Sequence, residues 1–350
     1  MAGIVVLLTS GLVSWAVGEW LCRSGTRFGL MQVPNARSSH SQPTVTGGGV
    51  SFVVVSSLMS VLVIYAASWT DGIILISVAA ILAIIGFIDD RGHVSIHARL
   101  VTQTAVVAVY FALVPDLSSL APAWLLVVGQ NQAILTLVLL IAGVWWINLF
   151  NFMDGVDGLA AAHSEFMLLS AGLMIGLTQS GSDFHPELIF ALLVSAAVGG
   201  FLVLNWSPAR IFMGDVGSTW LAFIIFAFAI QSISKGWLGY PEWLILASVF
   251  VTDATVTLVT RILRGDRWYE AHRTHAYQHL ADRWQKDGKS GHRLVTSMVL
   301  AINLLWVCPI AWACLLWPKW SSMFVVIAYA PLLIGSIFIG SGRPGAISKA

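Results

Sequence analysis

Two adjacent carboxylates, Asp89 and Asp90, close an apolar run and are followed by Arg91 and Arg99. At the C-terminal end of a helix they face the negative pole of the helix dipole, at a cost of about 0.3–1 kcal/mol each. An acid pair there needs a compensating cation or a function. The bland reading is a solvated helix end paired with Arg91 or Arg99. A second group, NLFNFMDGVDGLA, carries Asn148, Asn151, Asp154 and Asp157. Asn148 and Asn151 are spaced for one helical face, and the two Asp-Gly steps predict a tight turn that exposes carboxylates. Asp157 also reads as the N-cap of the next helix. A third group, NWSPARIFMGDVGS, holds Asn205, Arg210 and Asp215. Carboxylate and amide oxygens beside a cation and glycines suit Mg²⁺ with a phosphate substrate, although capping alone explains an Asp at the start of a helix.

The last polar stretch has Arg261, Arg264 and Arg267 ahead of His272, Arg273, His275 and His279. Guanidinium forks bind phosphate oxygens in pairs, so the arginines suit a diphosphate clamp. The three histidines share a helical face, which also permits zinc, but no Cys or acid completes such a site. Trp268, Tyr269, Leu280 and Trp284 describe the apolar side of a helix lying on a membrane surface. Gly47 to Gly49, after Arg37, His40 and Pro43, offer amides that attract an anion at a helix start, or simply a turn. Asp253 falls in the middle of an apolar run, where an acid is either functional or paired with a neighbouring helix. His163 and Glu165 pose the same question.

The elements that position these groups follow from composition. The 350 residues are 57% hydrophobic and only 10% charged, with a mean hydropathy of +0.83. So much apolar side chain indicates a membrane protein. A net charge of +1 argues against a nucleic-acid partner, which demands a basic excess. Cys22, Cys308 and Cys314 all sit in apolar runs, so no disulfide framework is expected. The run from Ile4 to Cys22 has its basic residues behind it, the reverse of a cleavable leader.

Runs long enough to cross a hydrocarbon core of about 30 Å at about 1.5 Å per residue begin near Ile4, Gly49, Ile73, Leu100, Ala133, Leu159, Leu188, Val216, Glu242, Leu294 and Met323. This predicts an all-α polytopic membrane protein of eleven transmembrane helices. Alternating the spans puts sixteen of the eighteen Lys and Arg residues on one side, leaving only Lys235 and Lys319 on the other. The positive-inside rule then places the N-terminus outside and the C-terminus inside. Loops 23–48, 89–99, 148–158, 205–218 and 262–293 face the cytoplasm and carry the polar motifs; only 262–293 has room for extra structure. The chain reads as a single transmembrane catalytic domain.

Taken together, VPNARSSHSQPTVTGGG, the acid pair, NLFNFMDGVDGLA, NWSPARIFMGDVGS and HRTHAYQ resemble the polyprenyl-phosphate N-acetylhexosamine-1-phosphate transferase superfamily, which includes MraY, WecA and WbpL. The resemblance spans nearly the whole chain. It implies transfer of an N-acetylated amino-sugar 1-phosphate from a UDP-sugar to undecaprenyl phosphate at the bacterial inner membrane, with the active site facing the cytoplasm and lipids around it. It further implies Mg²⁺, or Mn²⁺ in its place, on Asp215 and Asn151. Asp154, Asp157 and Asn205 would hold the nucleotide, and Asp89 and Asp90 the acceptor phosphate or metal. Asp89, Asp90, Asp154, Asp157, Asp215 and His275 form the expected catalytic set. Asn148, Asn151, Asn205, Arg210, Arg267, His272, Arg273, His279 and His40 form the expected binding set. His93 stands where many relatives have a third Asp, and His275-Ala-Tyr-Gln replaces their His clusters, a form similar to the WbpL branch of O-antigen assembly. FucNAc and QuiNAc donors are what that branch implies. A homodimer is compatible with the sequence, which does not fix the oligomeric state. The competing class is a transporter or ion channel, which also buries acids, but its sites sit near the midplane between repeated halves.

Overall fold

A computed structural model describes residues 2–32, 43–113, 117–120, 131–179, 185–267 and 272–344. His40, Arg37, Trp268 and Tyr269 lie outside the described residues. The helices are α1 (Ala2–Ser24), α2 (Val50–Ala67), α3 (Thr70–Arg91), α4 (Ile96–Leu113), α5 (Gln132–Met153), α6 (Leu159–Thr178) and α7 (Pro186–Asn205). They continue as α8 (Gly214–Ser234), α9 (Tyr240–Leu246), α10 (Ser248–Leu263), α11 (Ala276–Lys286), α12 (Gly291–Ile302), α13 (Cys308–Leu316) and α14 (Ser321–Ile339). Among the described residues, ten helices are long and apolar enough to cross a membrane. An eleventh span results if α9 and α10 are counted together. That ninth span is not straight, because its two helices meet at 73° around Ala247.

The protein is therefore the expected all-α polytopic membrane protein, with two refinements. The segment before α2 pairs Met31–Gln32 with Thr44–Val45 as a short antiparallel hairpin. The segment after α10 holds α11, the extra structure for which 262–293 had room. Several expected loops are also shorter than their motifs: Asp89 and Asp90 belong to α3, Arg99 to α4, and Asn148 and Asn151 to α5.

Lipid offers no hydrophobic drive for helix association, so close packing of small residues carries it. Where α1 crosses α7, a Cβ on Gly200 would overlap the Gly11 carbonyl, and one on Gly11 would stand 2.9 Å from the Ala196 carbonyl oxygen. Where α3 crosses α8, a Cβ on Gly86 would come within 2.5 Å of the Asp215 carbonyl oxygen. The second crossing matters for chemistry, since it draws the acid pair at the end of α3 onto the start of α8. Helix α8 is the centre of the bundle: 89% of its apolar window is buried, against 11% for the last span. Its N-terminus, at Gly214 and Asp215, is half-buried beside a cavity.

Candidate active site

The start of α8 is built from three directions. Gly48 and Gly49, just before α2, donate their amides to the carbonyls of Phe212 and Met213, both at 2.8 Å. The glycine run thus splints the approach to α8 by backbone pairing, and these two amides are spent on carbonyls rather than on an anion. Asp90 reaches over from α3 and accepts the amides of Asp215 (2.9 Å) and Val216 (3.1 Å). A carboxylate capping a helix from a different helix satisfies two orphan donors, a contribution of about 1 kcal/mol in ordinary caps. Gly214 is required here, because its φ is +75° and an added Cβ would sit 2.5 Å from Asp90 Oδ2. The dipole problem posed by the acid pair is solved twice over. Asp90 meets the positive end of α8, and Asp89 meets a cation.

That cation is Arg99, at the start of α4. Its Nη1 lies 2.8 Å from Asp89 Oδ2 and 3.1 Å from Asp215 Oδ2, while Nη2 donates to Asn151 Oδ1 at 3.2 Å. Asn151 Nδ2 in turn donates to Asp215 Oδ1 and to Ser218 Oγ, each at 2.8 Å. One guanidinium so joins α3, α5 and α8. The sequence had offered Arg99 only as the bland partner of the acids. Its place among both motifs became visible only when α4 was folded onto α5.

Beside this array opens a cavity of about 640 Å³. Asp89, Asp90, Asn151, Asp154, Asp157, Asn205 and Asp215 line it, joined by Arg99, His93, Gln32, Thr46 and Gln278. Seven of the expected site residues, from three separate motifs, thus meet at one end of the bundle. Their roles differ. Asp154, just past α5, makes no side-chain hydrogen bond among the described residues, and its carboxyl is held well above the usual carboxylate range by burial, then by the charges of Asp215, Asp90 and Asp157. Asp157 is buried too, yet its pKa falls below the ordinary value. The His292 hydrogen bond and charge, with the Ala209 amide, outweigh desolvation. Asn205 spends its side chain on backbone, accepting from the Gly158 amide at 3.1 Å and donating to the Ile211 carbonyl at 2.8 Å. It ties the Asp-Gly turn to the approach to α8.

Other expected residues lie away from the cavity. Asn148 donates to Gln103 of α4 at 2.7 Å, a helix-to-helix contact. Arg210 pairs with Glu19 of α1 at 2.8 Å, Arg273 with Asp282 at 2.8 Å, and His279 with the Arg343 carbonyl at 3.1 Å. Arg267 offers its carbonyl to Arg261 at 2.8 Å. His272 contacts Thr274 at 3.0 Å, and its pKa is pushed down to about 3 by burial, then by the charges of His275 and Arg261. His275 is buried behind the cavity wall, 3.5 Å from Asp253. The zinc alternative gains nothing: among the described residues no three His, Cys, Asp or Glu side chains group closely enough to share a metal. Leu280 and Trp284 of α11 pack, partly buried, against the protein core. His163 pairs with Asn303 at 2.9 Å and Glu165 with Ser195 at 2.6 Å, both contacts between helices.

Residues 72–233, which contain every acid of the cavity, match the family model described as glycosyl transferase family 4. Over these residues the chain is similar to that family. It is 26% identical to the decaprenyl-phosphate N-acetylglucosaminephosphotransferase of Mycolicibacterium smegmatis, over 86% of this chain and 80% of that one. It is 28% identical to the phospho-N-acetylmuramoyl-pentapeptide-transferase of Desulforudis audaxviator, over 70% and 77%. A Bacillus subtilis protein named probable undecaprenyl-phosphate N-acetylglucosaminyl 1-phosphate transferase shares 26% identity over 79% and 76%. The His- and Arg-rich segment 261–279 lies beyond the matched residues.

Oxygen ligands of the kind Mg²⁺ takes line the cavity, while among the described residues no three acidic or histidine side chains stand close enough to share an ion. Carboxylate and amide oxygens converge on the cavity, and Asp154 lines it with a carboxyl that burial holds well above the usual carboxylate range.

Proposed function

We propose that this protein transfers an N-acetylated amino-sugar 1-phosphate from a UDP-sugar to undecaprenyl phosphate, giving a lipid-linked diphosphosugar and UMP. The observation that carries the reading is the convergence of Asp89, Asp90, Asn151, Asp154 and Asp215 with Arg99 around one cavity at the end of the bundle. Phosphoryl transfer needs positioning and charge neutralisation more than covalent help, and this cavity offers both. An oxygen of the lipid phosphate attacks the β-phosphorus of the donor. The bond from that phosphorus to the bridging oxygen breaks, and UMP leaves with the oxygen. A phosphate monoester with a second pKa of about 6 is already largely dianionic at neutral pH, so the attack needs no strong base. Asp89 and Asp90 then serve to fix Arg99 and the α8 N-terminus, which set the geometry of the transfer.

Mg²⁺, or Mn²⁺ in its place, would be held by Asp215 and Asn151 with Asp154 beside them, and would neutralise charge on the diphosphate. Arg99 already supplies one positive charge to the same oxygens. The bias of basic residues supports a cavity that opens to the cytoplasm, with the N-terminus outside and the C-terminus inside. The HRTHAYQ form supports a donor of the O-antigen branch, such as UDP-FucNAc or UDP-QuiNAc.

A donor panel tests this reading. Purified protein, undecaprenyl phosphate and Mg²⁺ are incubated with UDP-GlcNAc, UDP-FucNAc, UDP-QuiNAc and the UDP-linked muramoyl peptide, and the lipid products are extracted and weighed by mass spectrometry. A diphosphosugar from one of the smaller amino sugars is expected. Product from the muramoyl donor alone contradicts the sugar assignment, and no product from any donor contradicts the reaction.

A further inference from the structure

Asp253 is buried in α10 and is not among the residues that line the cavity. Its carboxylate accepts the Ala276 amide at 2.8 Å through Oδ1 and the Tyr277 amide at 3.0 Å through Oδ2. These are the first two amides of α11. Thr257 donates to the same carboxylate at 3.2 Å, and His275 stands 3.5 Å away. A carboxylate suits this place because both its oxygens accept and its charge meets the positive end of the helix.

The turn it holds is the one that meets the active site. The Tyr277 hydroxyl donates to the Phe152 carbonyl at 2.8 Å, and it lies where a Cβ on Gly155 would be. Gln278 forms part of the cavity wall. The middle of α11 is fixed separately, since Gly291 at the start of α12 leaves no room for a side chain against the Ala281 carbonyl. At the near end the chain has one further backbone anchor, the Gly342 amide on the Thr274 carbonyl at 2.7 Å.

We propose that Asp253 is a positioning residue for donor binding: by holding the first turn of α11, it sets Tyr277 on the 152–155 backbone and Gln278 at the cavity wall. The inference rests on the reading of the cavity as a sugar-nucleotide site. Asp253 touches neither substrate, so its loss weakens donor binding and leaves the chemical step and the lipid acceptor nearly untouched.

Asp253→Asn tests this with no change of shape, since the amide keeps one acceptor and turns an N–H₂ toward the second helix amide. Hydrogen exchange and steady-state kinetics are measured on the purified protein, with Tyr277→Phe as a second variant that removes only the link to Phe152. In Asp253→Asn, exchange is expected to rise in both 276–279 and 152–157. The donor KM should rise about tenfold, with kcat and the lipid-phosphate KM within about twofold, the signature of lost uniform binding. Tyr277→Phe should raise exchange at 152–157 and shift the donor KM in the same direction. A rise in exchange confined to 276–279, or a fall in kcat at unchanged donor KM, overturns the proposal. Should Asp253→Asn not fold, Tyr277→Phe decides by the same donor KM. If the wild-type protein turns over no sugar nucleotide, the donor reading falls by itself, and exchange at 152–157 still decides whether Asp253 positions that wall.

Discussion

The two polar regions of this protein carry motifs of equal promise and use them differently. In the cavity, acids from α3, the turn after α5 and the start of α8 outnumber the cation between them, and among the described residues Asp154 makes no side-chain hydrogen bond. In the segment after α10, several ionisable side chains answer groups of their own neighbourhood: His275 stands near Asp253, Arg273 pairs with Asp282, and His279 with the Arg343 carbonyl. Broken local preferences gather where function is. The first region gathers more acids than cations around a cavity, whereas several charges of the second hold a wall.

The comparison breaks most visibly at Asp215. Asp215→Asn should lower turnover by about 10³-fold or more while the protein remains folded in detergent, on the scale of losing a dominant electrostatic group. Near-normal turnover would put the chemistry elsewhere. Arg99→Gln comes next, with an expected loss of about 10²-fold in kcat/KM, or about 2.7 kcal/mol. It removes the only cation that Asp89 and Asp215 share among the described residues. Gly214→Ala should cost about 1–3 kcal/mol of stability, measured by thermal unfolding in detergent, because a left-handed backbone and the Asp90 contact both resist a Cβ. Arg210→Gln should leave kcat/KM within about twofold, since an exposed ion pair contributes little; its side chain is 56% exposed on Glu19.

The smallest effect sharpens the second region. His272 is held neutral by burial, then by His275 and Arg261, with a pKa of about 3 against an ordinary 6.5. The unfolded chain binds the extra proton between those values, so the folded state gains stability as pH rises through that window and loses it as pH falls. His272→Gln should flatten the dependence of the unfolding temperature on pH between about 4.5 and 6.5, within the window set by that linkage. An unchanged slope would mean that His272 is not the titrating group.

Much of the first region was legible in sequence because its residues break local rules. Acids at the wrong end of α3, amides on one face of α5 and an Asp-Gly turn all stand out without a fold. Eleven apolar runs likewise announced the bundle. The bend at Ala247 did not, because hydropathy counts apolar residues and carries no direction. That bend and the return of the chain into α11 gave Asp253 its partners, 23 and 24 residues further along, so an acid that looked stranded in mid-span is a helix cap. Arg210, expected near a phosphate, pairs with Glu19, 191 positions away. Local spacing reads a helix face, and only tertiary closure decides which face meets which.

The central claim is that the cavity acids serve attack at the β-phosphorus of a sugar nucleotide. A donor labelled with ³²P at the β-position tests it most directly. With lipid phosphate and Mg²⁺, the wild-type protein should carry the label into the lipid fraction and release unlabelled UMP, and Asp215→Asn should do neither. Label recovered in UDP, or retained covalently on the protein alone, would contradict the account.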